Sequence, residues 1–190
     1  MRERTILRRP GPDAGPPDAP VADPDRWREV GQGEMVVGDD PRQVLTATLG
    51  SCVAVILHST GARIGGMTHI FRCVDPGPAG GAAVVAEIER LVNALMRRGL
   101  PRSALEAKVV GGAQTLGRGR DVGGQIARVA LEFLRVERMT LSDSDVGGTR
   151  PRRITFRPTT GGLLVAYPGA EIPAGTPPAS HRRSGDTELF

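Results

Sequence analysis

Two hydrophobic periods interleave along this chain. Short runs rich in β-branched residues, Met35–Gly38, Val44–Thr48, Cys52–His58 and Arg63–Phe71, predict strands. Gly61, inside His58-Ser-Thr-Gly-Ala62, supplies a turn between the last two and predicts a hairpin. Asp75-Pro-Gly-Pro-Ala-Gly-Gly81 reads as a loop. From Ala82 to Arg98 the period changes. Val84, Ile88, Leu91, Val92 and Leu95 recur at three- and four-residue steps, which predicts a helix with one apolar face. Gly99 is its expected stop. Leu105–Val110 predicts a further strand, and Gly124–Val136 a second helix with Ile126, Val129, Ala130 and Phe133 on one face. Met139–Ser142, Ile154–Arg157 and Leu163–Tyr167 predict three closing strands. Interleaved strands and helices imply an α/β or α+β class, with sheet covered by helices. The early hairpin makes that sheet mixed rather than all parallel.

Proline marks the boundaries. Six of the 16 prolines fall in residues 1–30 and four in 168–190, and both ends lack periodicity. We therefore expect a disordered N-terminal tail over 1–25, a single domain over 26–170 and a mobile C-terminal tail over 171–190. A chain of 190 residues suits one domain.

Charge and composition narrow the function. The formal charge is +4, and all 25 basic residues except Lys108 are Arg. Residues 1–30 hold six Arg and six acids, so they form no basic arm. Gly117-Arg-Gly-Arg120 has no aromatic neighbours, and nucleic acid is not an expected partner. No apolar run approaches the ~20 residues of a membrane span, and the N-terminus has no signal-length apolar stretch, so the expected location is the cytoplasm without membrane insertion. The two cysteines, Cys52 and Cys73, form no C-x-x-C pair, and the histidines number three (His58, His69, His181). Neither a disulfide framework nor a metal or other cofactor site is expected. His58 and His181 read as lying in a turn and a tail.

The densest chemistry is Thr46-Ala-Thr-Leu-Gly-Ser-Cys52, followed by Gly65-Gly-Met-Thr-His69. A tight turn before Cys52 can hold its thiol at an exposed lip and aim backbone N–H groups at a developing oxyanion. Pairing around Gly61 brings the start of one strand to the end of the next, and those ends carry Cys52 and His69. A Cys–His pair can supply a thiolate nucleophile and an acid for the leaving group. A small buried cysteine and a structural histidine are the alternatives, and spacing alone does not decide between them.

Thr46-x-x-x-Gly-Ser-Cys52 with Gly65-x-Met67-x-His69 resembles the signature of the chemoreceptor glutamine deamidase family, CheD. Lys108-Val-Val-Gly-Gly-Ala113, Asp145-Val-Gly-Gly148, Arg152 and Gly161-Gly-Leu-Leu-Val165 follow in the family's order, over about 31–167. The resemblance implies a Cys52 nucleophile, His69 as general base and acid, and Thr46 as the third member. Thr48 would share a face with Thr46 in a regular strand, and only the resemblance selects Thr46. It also implies a helix-covered β-sandwich of mixed sheets similar to the catalytic domain of cytotoxic necrotizing factor toxins. Gly123-Gly-Gln-Ile126 and Arg72-Cys73 depart from the family pattern.

The implied activity is deamidation of a protein glutamine to glutamate through a Cys52 thioester. Its substrate would be the cytoplasmic helical region of chemoreceptors, with a chemotaxis phosphatase as a possible second partner. Two other functions remain open at this point: a non-catalytic regulator of that phosphatase, and a different thiol acyl-transfer enzyme.

Overall fold

A computed structural model describes residues 26–71, 78–115 and 120–167. The expected tails, together with Cys73, His181 and Gly117–Gly119, lie outside the described residues.

Among the described residues, nine strands build two mixed sheets. The first has the order β1 (Trp27–Glu29), β3 (Val44–Leu49), β8 (Arg152–Arg157), β9 (Gly162–Ala166). The second has the order β2 (Met35–Gly38), β5 (Ile64–Ile70), β4 (Val53–Ser59), β6 (Glu106–Gly111), β7 (Thr140–Val146). Pairing is antiparallel except for β1 with β3 and β6 with β7. The mixed character follows from the connections. Short turns make the β4–β5 and β8–β9 hairpins, while a helix carries the chain from β6 back to a parallel β7.

Strand alternation gives the second sheet two buried faces. Ala54, Ile56, Met67 and Val110 meet Leu45, Ala47, Leu49, Ile154 and Phe156 of the first sheet. Their neighbours Val53, Val55, Leu57 and Ile70 face the helices α1 (Pro78–Met96) and α2 (Val122–Val136) instead. β4 and β5 are therefore buried throughout, a pattern suited to a central hairpin between two layers. All five periodic residues of the first helix, Val84, Ile88, Leu91, Val92 and Leu95, are fully buried.

Element boundaries moved where tertiary contacts outweigh local propensity. α1 begins at Pro78, not Ala82, so Gly80 and Gly81 are helical. Proline at a helix start carries its N–H deficit where none is needed, and Gly81 lies close to Val129 of α2. The helix ends at Met96, and Gly99, at φ +88°, donates its N–H to Met96 O. α2 starts two residues early because the Asp121 carboxylate caps it, accepting from Gly124 N at 2.8 Å. β7 runs on to Val146 through Ser142-Asp-Ser-Asp145. Those polar residues suit an edge strand, where charge discourages pairing with a further chain. Trp27 lies within a short strand of its own.

His58 lies within β4 rather than in a turn and is 3% exposed. Burial lowers its pKa, with Lys108 adding repulsion and Glu106 opposing both. No helix among the described residues is long and apolar enough to cross a membrane.

Candidate active site

Cys52 and His69 share one face of the second sheet. His69 pairs directly with Ala54 across the β4–β5 hairpin. Cys52 lies two residues before Ala54, so it occupies the diagonal position on the same side of the sheet, the side turned toward the first sheet. Diagonal neighbours on one face stand about 7 Å apart, within reach of a ring and a thiol once a substrate draws them together. The hairpin reading of the sequence therefore places these two residues as expected.

His69 is held on three sides by the segment that joins the two sheets. Gly33 N donates to His69 O at 2.8 Å, and His69 N donates to Glu34 O at 3.0 Å. The ring itself is fixed by Nδ1, which lies 2.8 Å from Val30 O. A carbonyl oxygen can only accept, so Nδ1 carries the hydrogen and Nε2 presents a lone pair. Nε2 is buried with no hydrogen-bond partner among the described residues. An imidazole with its lone pair withheld from protein and solvent is poised to take a proton from a neighbouring thiol.

The Val30 main chain, and not the Thr46 that the resemblance implies as third member, makes the bond that orients the ring. Thr46 acts at one remove: its main-chain oxygen accepts Val30 N at 2.8 Å. On β3, Leu45, Ala47 and Leu49 point into the sandwich, which puts the Thr46 side chain on the opposite face. Thr46 is buried there and Thr48 exposed. Sequence reasoning missed Val30 because a main-chain carbonyl has no residue-type signature.

Cys52 is 7% exposed, so its thiol sits buried rather than at an open lip. The turn that carries it crosses from the first sheet to the second, and the end of β6 clamps it. Gly112 N donates to Cys52 O at 2.7 Å and Ala113 N to Gly50 O at 2.9 Å. Glycine is required at 111: its φ is +115°, and a Cβ there would stand 2.3 Å from Cys52 O. At Gly112 a Cβ would meet Gly123 O of α2 at 2.7 Å. These glycines are the physical content of the Lys108-Val-Val-Gly-Gly-Ala113 motif, and they let the clamp close on the cysteine. The C=O and N–H of a trans peptide point in opposite directions, so the Ser51 N–H turns away from the 111–114 segment.

The electrostatics favour a neutral resting pair. Burial raises the Cys52 thiol pKa above its ordinary 9.0. Burial also lowers His69 below its ordinary 6.5, more than its hydrogen bond to Val30 and the charges of Glu29 and Glu34 raise it. Near neutral pH the site holds a thiol and an uncharged imidazole. An imidazole acting as a base must be neutral to accept a proton. The acid limb of kcat/KM is therefore expected below pH 6.5, and rate profiles on either side of that value check it. The same shifts set the stability profile. The unfolded chain protonates His58 and His69 from about pH 6.5 downward while the folded chain resists. Stability is thus expected to fall as pH drops through that window, and thermal melts between about pH 7 and 5 read it. No cluster of three or more metal-ligating side chains occurs among the described residues.

Comparison with known proteins gives the site a family context. The family model described as CheD chemotactic sensory transduction matches residues 79–167. A probable chemoreceptor glutamine deamidase CheD from Caulobacter sp. (strain K31) is 41% identical over 172 residues, covering 85% of this chain and 91% of the relative. The protein of the same description from Jannaschia sp. (strain CCS1) is 39% identical over 140 residues, 73% of this chain and 80% of that one. Among solved structures, a Neisseria meningitidis protein of the DUF152 family overlaps at TM-score 0.37 and 13% identity, covering 70% of this chain and 62% of that one. That overlap is too loose to carry an argument.

Proposed function

Since this chain belongs to the CheD family, we propose that it deamidates glutamine side chains of chemoreceptors, with Cys52 as nucleophile and His69 as base and then acid. The observation that carries this reading is the His69 ring, anchored at Nδ1 with a buried, unpartnered Nε2 on the face that Cys52 shares.

The chemistry follows from that arrangement. The glutamine carboxamide enters between the two residues, and Nε2 takes the thiol proton as sulfur attacks the carbonyl carbon. The Ser51 N–H, which turns away from the 111–114 segment and is left out of the clamp, is the donor we assign to the oxyanion. Collapse expels ammonia, which leaves with the proton that His69 returns, and a thioester to Cys52 remains. A water, deprotonated by Nε2, then attacks the thioester and releases glutamate and the thiol. Amide and water have become acid and ammonia, and the enzyme is regenerated. Each turnover adds one negative charge to the substrate helix, a change suited to altering the packing and signalling of a helical receptor.

Thr46 completes the constellation as a positioning residue for the Val30 carbonyl. Because its link runs through the main chain, Thr46→Ala should lower kcat by only about two- to fivefold, and exposed Thr48→Ala by less than about twofold. Kinetics of the two variants side by side check the order, and a larger loss at Thr48 would assign the role to that residue. The two-layer sandwich with its helix cover and its cysteine at a sheet-to-sheet turn supports the proposed kinship with the toxin catalytic domains. The phosphatase partner and the cytoplasmic location belong to the same proposal through family membership.

The test is direct. Purified chain is incubated with the cytoplasmic helical fragment of a chemoreceptor, and ammonia release and the amide-to-acid mass change are followed together. Both signals should appear in equal amounts. Ammonia without new glutamate, or neither signal with the receptor still bound, would replace the deamidase reading with acyl transfer or with a binding function.

A further inference from the structure

We propose that Arg152 is a positioning residue for the deamidation: its guanidinium ties the two sheets together at the Gly50–Cys52 turn and so fixes where the nucleophile stands relative to His69. The inference rests on the deamidase reading and adds to it a residue outside the Cys–His–Thr constellation.

The path can be followed bond by bond. Arg152 opens β8 in the first sheet, where it pairs with Leu49, the last residue of β3 before the cysteine turn. Leu49 points into the sandwich, so the Arg152 side chain starts out on that inner face, and it is 4% exposed. It reaches Asp145 on β7 of the second sheet with two nitrogens, Nη2 to Oδ1 at 2.8 Å and Nε to Oδ2 at 3.3 Å. Nη1 donates to Gly147 O at 2.7 Å and Arg150 O at 3.1 Å. Tyr167 Oη donates to Asp145 Oδ2 at 2.6 Å, and its ring lies under the guanidinium, 5.5 Å from Cζ.

The turn thus gripped holds the clamp. Gly147 N donates to Gly111 O at 2.9 Å and Gln114 N to Gly148 O at 2.8 Å. Gly112 and Ala113 in turn hold Cys52 O and Gly50 O. The circuit closes on itself: Leu49 and Gly50, Cys52, the 111–114 segment, Gly147–Gly148, Arg152, and back to Leu49. Every link between Arg152 and the cysteine is a hydrogen bond or a strand pairing, so a shift at Arg152 is not absorbed by a loose side chain along the way. A guanidinium suits the task because its planar fork grips a carboxylate with two nitrogens while a third serves two carbonyls, four bonds where an ammonium has three donors and no fork. Burial would raise the Asp145 carboxyl, but the Arg152 and Tyr167 hydrogen bonds outweigh it and hold the group charged. Catalysis is sensitive to such support: a misplacement of ~1 Å can cost about 100-fold in rate.

An arginine that served stability alone would behave differently, and Arg102 provides the control. It is also partly buried and bonded to two carboxylates, Glu89 and Glu137, but on the helix side of the second sheet. The full chain carrying Arg152→Met, Arg152→Lys or Arg102→Met is assayed well below its melting temperature. The readouts are kcat, KM and the rate at which iodoacetamide alkylates Cys52 without substrate, followed on the Cys52 peptide by mass spectrometry. We expect Arg152→Met to lower kcat roughly 10- to 100-fold with KM within about twofold, and to raise Cys52 alkylation at least ~3-fold as the turn loosens. Arg152→Lys should recover some of both, and Arg102→Met should change neither.

Equal effects of Arg152→Met and Arg102→Met on kcat and alkylation would overturn the proposal. If Arg152→Met does not fold, Tyr167→Phe, which deletes a single bond to Asp145, should move kcat and alkylation the same way by less; no movement in either would equally overturn it. Should the wild-type chain release no ammonia, the deamidase reading fails on its own. Alkylation then still decides the positioning claim, since an unchanged rate in Arg152→Lys and Tyr167→Phe denies it.

Discussion

Cys52→Ala should abolish ammonia release, with turnover falling at least ~10⁴-fold, while the chain keeps its fold. On the proposed mechanism this removes the sulfur that would form the acyl intermediate, and what remains is binding and oxyanion stabilisation. The structural cost is small because alanine fills most of the site of a small buried thiol, about 1 kcal/mol. The turn geometry itself is fixed by main-chain bonds from Gly112 and Ala113, which alanine preserves. Circular dichroism and a melting curve within a few degrees of wild type, beside an empty ammonia trace, are the expected pair of results. Activity within about tenfold of wild type would remove Cys52 from the chemistry and return it to the role of a core residue.

His69→Ala is expected to cost roughly 10²- to 10⁴-fold in kcat, the range for removing a positioned acid–base group. It also loses the ring that satisfies Val30 O. Val30 is buried, and leaving its carbonyl unpaired costs about 1–3 kcal/mol of stability. The two effects are separated by His69→Gln, whose amide N–H can serve a carbonyl acceptor but whose side chain has no basic lone pair. Both variants should lose at least about 100-fold in kcat, and Gln should recover some of the stability. A glutamine variant running within about tenfold of wild type would show that the ring only holds the loop. The pH profile gives an independent check, because an acid limb below 6.5 that is set by His69 should vanish in either variant.

Much of the site could be read before any fold was known. The hairpin around Gly61 was legible because a strand–turn–strand pattern with buried faces fixes register, and register puts positions 52 and 69 on one side. The helix faces were legible for the same reason. Their period is local, and all five marked residues of the first helix are buried. The misreadings have a common cause. The sequence places Gly80 and Gly81 in a loop, ends the strand from Met139 at Ser142 where the structure runs it on to Val146, and sets Cys52 at an exposed lip. In each case a neighbour distant in sequence decided the outcome: α2 against Gly81, β6 against the polar strand, and the Gly111–Ala113 clamp over the cysteine turn.

What the sequence by itself determined is therefore both helices and all the described strands but Trp27–Glu29, the placement of Cys52 and His69 on one side of a hairpin, and the family that the motifs resemble. These depend on local periods and on residue types that no other chemistry replaces. Only the tertiary structure decided which group orients the histidine, how deep the thiol lies, and that Arg152 and Asp145 bridge two sheets at the nucleophile's turn. The orienting group is a backbone carbonyl, and every residue has one. Burial and bridging, likewise, are properties of the layers that meet, and a list of residues does not contain them until the chain has brought those layers together.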